Sequence, residues 1–71
     1  MLFGKYIGFL AKGAEDLVRE DDDLLRKLFN AFATEVHGRD DWFYDITVDG
    51  HEFFFVDNGM DGYTAMLANE Y

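Results

Sequence analysis

The sequence predicts an α+β fold: two helices packed on one face of a three-stranded antiparallel meander, within a single small domain spanning residues 1-71. Three observations carry this expectation. Apolar residues recur at steps of three and four up to Val36, which is the helical period. From Trp42 onward the period changes to two, and Asp49-Gly50 divides that region with a hairpin signal. Finally, 49% of the residues are apolar and 18% aromatic, enough to offset the entropy of ordering despite a high charge. Seventy-one residues leave no room for a second domain.

The first element rests on Phe3, Tyr6, Ile7, Leu10, Ala14, Leu17 and Val18, a helical stripe. Gly4, Gly8 and Gly13 oppose it, since each glycine costs about 1 kcal/mol relative to Ala inside a helix. The competing reading is a short strand from Leu2 to Leu10, which alternates poorly and sets Lys5 beside Phe3 and Ile7. Helix is the favoured reading, with a short N-terminal segment before one long helix as its variant. The second helix, over 22–37, has a clearer stripe through Leu24, Leu25, Leu28, Phe29, Phe32 and Val36. Its start is marked by Asp21-Asp22-Asp23, which suit the N-cap and the positive end of the helix dipole. Gly38 stands just past its end. Leu28, Phe29 and Phe32 are expected in the core.

A two-residue turn at Asp49-Gly50 sets the hairpin register, with Val48 facing His51, Ile46 facing Phe53, Tyr44 facing Phe55 and Trp42 facing Asp57. One face then carries Trp42, Tyr44, Ile46, Val48, Phe53 and Phe55, a wall for the helices. The other carries Phe43, Asp45, Thr47, Glu52, Phe54 and Val56, a mixture of apolar and acidic side chains. After a second turn within Asn58–Gly62, Tyr63–Leu67 is expected as a third strand of undetermined register.

Charge is unevenly placed. The net charge is −9, yet residues 1–39 hold six cations against seven anions, whereas residues 40–71 hold eight acids and no Lys or Arg. Solubility alone favours mixed signs, because unpaired like charges repel. The expected consequence is a partner of opposite sign. The competing reading is adaptation to solubility or to a salt-rich habitat.

Composition excludes several chemistries. Without cysteine there are no disulfides, thiolate metal sites or thiol catalysis. Without serine there is no Ser-His-Asp triad, and no phosphate-binding glycine loop is present. Asp57 to Gly62 has part of the spacing of a calcium loop, but Gly59 and Ala68 stand where oxygen ligands are needed. His37 and His51 have no partner at metal-ligand spacing. The expectation is therefore no enzyme, no cofactor and no metal. Direct nucleic-acid binding is excluded by the lack of cations in the sheet half. No apolar run reaches the length of a membrane span. Lys5 and Lys12 interrupt the first apolar stretch and no small-residue cleavage site follows, so the expected compartment is the cytoplasm.

The functional expectation is an acidic, non-catalytic binding protein that occupies a basic, nucleic-acid-binding surface of a larger protein by charge mimicry. The partner-binding residues expected are Asp40, Asp41, Asp45, Asp49, Glu52, Asp57 and Asp61, with Phe43 and Phe54 as apolar anchors. In size and charge alone the chain resembles phage-encoded host-takeover proteins such as anti-restriction, anti-CRISPR and uracil-glycosylase inhibitors; no motif assigns it to them. The alternative is a structural module that self-associates, as a homodimer, through Phe43, Phe54 and Val56.

Overall fold

The computed structural model describes residues 6–71. In chain order the elements are β1 (Ile7–Leu10), α1 (Lys12–Glu20), α2 (Asp22–Val36), β2 (Phe43–Val48), β3 (His51–Asp57) and β4 (Tyr63–Leu67), with single 3-10 turns at Gly59–Asp61 and Ala68–Glu70. The fold is α+β, but the sheet has four strands in the order β1-β4-β3-β2 and is mixed, not a three-stranded antiparallel meander. Antiparallel pairing joins β2 to β3 and β3 to β4; the added strand β1 runs parallel to β4.

The hairpin forms in the expected register, with Tyr44 opposite Phe55, Ile46 opposite Phe53 and Val48 opposite His51. Asp49 and Gly50 both adopt positive φ, at 53° and 80°, the backbone twist a two-residue hairpin turn needs. Side chains alternate across the sheet, so Tyr44, Ile46, Val48, Phe53 and Phe55 are buried on one side. Tyr63 and Ala65 of β4 join them, and the opposing helices contribute Ala14, Leu24, Leu28 and Phe32. At the centre Phe32 stacks on Phe55 with ring centroids 4.9 Å apart and meets Tyr63 at 5.0 Å. The buried tyrosines keep their hydroxyls bonded. Tyr63 donates to the Asp41 carbonyl at 2.5 Å, and the Tyr44 hydroxyl accepts from the Asp41 N–H at 3.1 Å. No buried side-chain polar atom among the described residues lacks a partner.

Helix α2 starts and ends where its sequence signals place it. The Asp21 carboxylate caps it by accepting from the Asp23 N–H at 3.0 Å, and Gly38 follows the end with φ of 76°. Two expected core positions are not in the core. Phe29 is 44% exposed because it lies one step round the helix from the Leu28–Phe32 line. Trp42 is 62% exposed; it precedes β2 and packs on Phe43 instead of joining the buried wall.

The first segment is the main correction. The single helix read from Phe3 to Val18 is, within the described residues, a strand at Ile7–Leu10 followed by a helix at Lys12–Glu20; Phe3 and Gly4 lie outside them. Ile7 and Leu10 pack on the core from the strand, and Ala14, Leu17 and Val18 do so from the helix, so one helical spacing spans two kinds of element. Gly8 lets β1 pack where it does. A β-carbon there would lie 1.9 Å from the Asp61 carbonyl oxygen, so β1 approaches the Gly59–Asp61 turn at a distance only glycine allows. Gly8→Ala is expected to destabilise the domain by about 1–3 kcal/mol through this backbone collision. Chemical denaturation checks it, and an unchanged midpoint would show that β1 does not need the close approach.

Candidate functional site

Because the helices occupy one face of the sheet, the alternate side chains of β2 and β3 are left on the other. There stand Phe43, Asp45 and Thr47 of β2 and Glu52, Phe54 and Val56 of β3, all exposed or half-buried. This is the mixed apolar and acidic face expected from the alternation.

Its apolar part is a group of four rings. Phe43 and Phe54 are centred 4.9 Å apart. Trp42 lies 5.5 Å from Phe43, and Tyr71 meets Phe43 and Phe54 edge-on at 5.6 and 5.5 Å. Its acidic part is a carboxylate pair. Asp45 sits opposite Phe54 in the ladder, and Thr47 opposite Glu52, which puts the two acids on one diagonal of the same face. A hydrogen bond that only the protonated Glu52 carboxyl can donate to Asp45, followed by the repulsion of the Asp45 charge, pushes the Glu52 carboxyl above its ordinary range. Among the described residues no cation lies within ion-pair distance of either acid.

The other expected acids are placed differently. Asp49 pairs with Lys27 at 2.9 Å, and Asp41 with Arg39 at 2.8 Å. Arg39 also pairs with Glu35 at 2.8 Å and lies 4.8 Å above the Tyr44 ring. Cations of the helical half thus reach the sheet half, and the charge division seen along the chain is partly cancelled in space. The Asp57 carboxylate accepts from the Gly59 N–H at 2.7 Å, closing the turn before β4. The Asp57 N–H bonds the Trp42 carbonyl, so Asp40, Asp41, Asp57 and Asp61 gather at one end of the sheet, with Asp49 and Glu52 at the other. The structure therefore brings Phe43, Phe54, Asp45 and Glu52 together and leaves the remaining five acids off that patch.

Sequence reasoning missed Glu70 and Tyr71. Helix α1 begins after Ala11, whose side chain cannot cap it. Glu70 supplies the cap from 57 residues away, its Oε2 accepting from the Gly13 N–H at 2.7 Å while Oε1 accepts from the Leu67 N–H at 2.9 Å. The Leu67 N–H, and then those of Gly13 and Ala14, hold its carboxyl below the ordinary value. A Glu after a strand carries no local signal for such a contact.

Two open grooves flank these features. One of about 400 Å³ lies between β1 and the helices, lined by Phe9, Leu25 and Phe29 among others; another of about 270 Å³ lies beside Gly50, Glu52 and Asn69. Among the described residues no three His, Cys, Asp or Glu side chains are grouped to hold a metal, and no helix is long and apolar enough to cross a membrane. Comparison of the chain with protein-family models, curated proteins and solved structures finds no match.

Proposed function

We propose that the chain is a non-catalytic binding module that docks the open face of its sheet onto a basic surface of a larger protein. Where that surface serves nucleic acid, the docked chain excludes it by charge mimicry and acts as an inhibitor. The observation that supports the reading is the Asp45–Glu52 pair, two carboxyl groups on one diagonal of the open face with no cation within ion-pair distance among the described residues. Such a pair costs the isolated fold electrostatic energy, and a cationic partner relieves it. Phe43 and Phe54 adjoin it as apolar anchors, an arrangement suited to arginine, whose guanidinium bonds carboxylates at its edge and stacks on rings by its face. Asp40, Asp57 and Asp61, gathered at one end, extend the negative field that steers encounter. Asp41 and Asp49 are engaged within the chain and are assigned no direct role.

The same pair disfavours the homodimer reading. A two-fold contact sets the face against itself and brings both copies' carboxylates into one interface.

Affinity capture on the immobilised chain, eluted with rising salt and separately with duplex DNA, tests the proposal. The expected result is a basic protein released by both, since charge-paired interfaces weaken as ions screen them. Capture that is indifferent to salt would overturn the reading.

A further inference from the structure

Glu70 and Tyr71 are adjacent in the chain yet engage opposite sides of the sheet. Glu70 is bonded to the Gly13 N–H at the start of α1, on the helix side, while the Tyr71 ring lies over Phe43 and Phe54 on the open side. The Ala68–Glu70 turn thus wraps the end of β4. The two attachments differ in strength. Glu70 makes two charge-assisted bonds, at 2.7 and 2.9 Å. Tyr71 is 69% exposed and is held by ring edges and one backbone bond of 3.3 Å to the Ala68 carbonyl.

Resting on the docking reading above, we propose that residues 68–71 form a strap that closes the aromatic half of the open face, latched by Glu70 on α1. With the latch made, Tyr71 covers Phe43 and Phe54. A partner that seats an apolar or guanidinium group on those rings displaces Tyr71, and the strap is the autoinhibitory element of the site. Little opposes this displacement, because most of the Tyr71 surface is already in water.

Two variants break the latch by independent means. Glu70→Ala removes the acceptor. Gly13→Ala places a β-carbon 2.8 Å from the Glu70 carboxyl carbon, which must shift away from the Gly13 N–H, while improving the intrinsic helix propensity of α1. Both are expected to lose the nuclear Overhauser contacts between Tyr71 and the Phe43 and Phe54 rings, while the Phe32–Phe55 contacts of the core persist. Binding of a hydrophobic dye should rise about threefold in both, and equally in Tyr71→Ala, as the rings are uncovered. Full Tyr71 contacts in both latch variants, or no dye increase in Tyr71→Ala, would overturn the strap. A hexa-arginine peptide separates this from the docking reading. It is expected to bind Tyr71→Ala about threefold more tightly than the parent chain, and equal affinity would overturn the gating. Binding to neither would sink the docking reading, with the ring contacts and dye still deciding the strap.

Discussion

Replacing Phe32 by Ala is expected to bring the domain to the edge of unfolding at room temperature. The ring is 2% exposed and holds α2 to three strands at once, stacking on Phe55 at 4.9 Å, tilting on Tyr63 at 5.0 Å and meeting Tyr44 edge-on at 5.8 Å. Truncating a buried phenylalanine costs about 3–5 kcal/mol, transfer and cavity terms together. A chain of this length has a total stability of roughly 4–11 kcal/mol. The melting temperature should fall by about 12 °C or more, read from circular dichroism. Phe29→Ala is the matched control, the same chemistry one residue away on a side chain that is 44% exposed, and its expected cost is below about 1 kcal/mol. Equal losses in the two variants would mean that Phe32 does not anchor the helix layer.

That anchoring explains why one face of the sheet is left open. Both helices and the inward halves of β2, β3 and β4 are consumed in one core, so no helix is left to cover the other side of the sheet, where Tyr71 alone lies over Phe43 and Phe54 among the described residues. A small domain has few elements, and this one uses both helices on one face. Phe43, Phe54 and Val56 stay half-buried on the other, with Asp45 and Glu52 exposed beside them.

How much of this the sequence carried depends on how local the cause is. The hairpin register follows from two adjacent residues, Asp49 and Gly50, and from strict alternation around them, so both faces of β2 and β3 were legible. The caps of α2 lie within one turn of its ends and were legible too. Strand β1 was not, because its partner is β4, with paired residues 55 or 56 positions apart, and parallel pairing leaves no turn signal between the two strands. Its apolar spacing suits a helix as well as a strand, and what favours the strand is distant in sequence: the pairing with β4 and the close approach of Gly8 to the Asp61 carbonyl. The same distance hides the cap that Glu70 gives α1. Charge shows the converse: the excess of acids after Arg39 was visible at once, but Lys27 reaches Asp49 across 22 residues, so the sequence overstated how much of that charge is free.

Neutralising the free pair is the decisive functional test. In the double variant Asp45→Asn, Glu52→Gln, the affinity for the basic partner is expected to fall about 100-fold at physiological salt, which is about 2.8 kcal/mol. Stability should move the other way. The Glu52 carboxyl titrates above its ordinary range in the folded state, so in that window the folded chain binds more protons than the unfolded one. Its stability therefore falls as pH rises through the window, and the penalty persists at neutral pH. The variant has no such group, so it should melt higher than the parent at pH 7 and lose that advantage in acid below the ordinary glutamate range. The two carboxylates also restrain self-association, since removing them changes the net charge from −9 to −7 and leaves Phe43 and Phe54 without repulsion beside them; sedimentation at pH 7 should show more dimer in the variant. Undiminished partner affinity in a correctly folded variant would end the docking proposal. Lower stability at pH 7 would show that the pair is an asset to the isolated fold, which removes the electrostatic reason for a cationic partner.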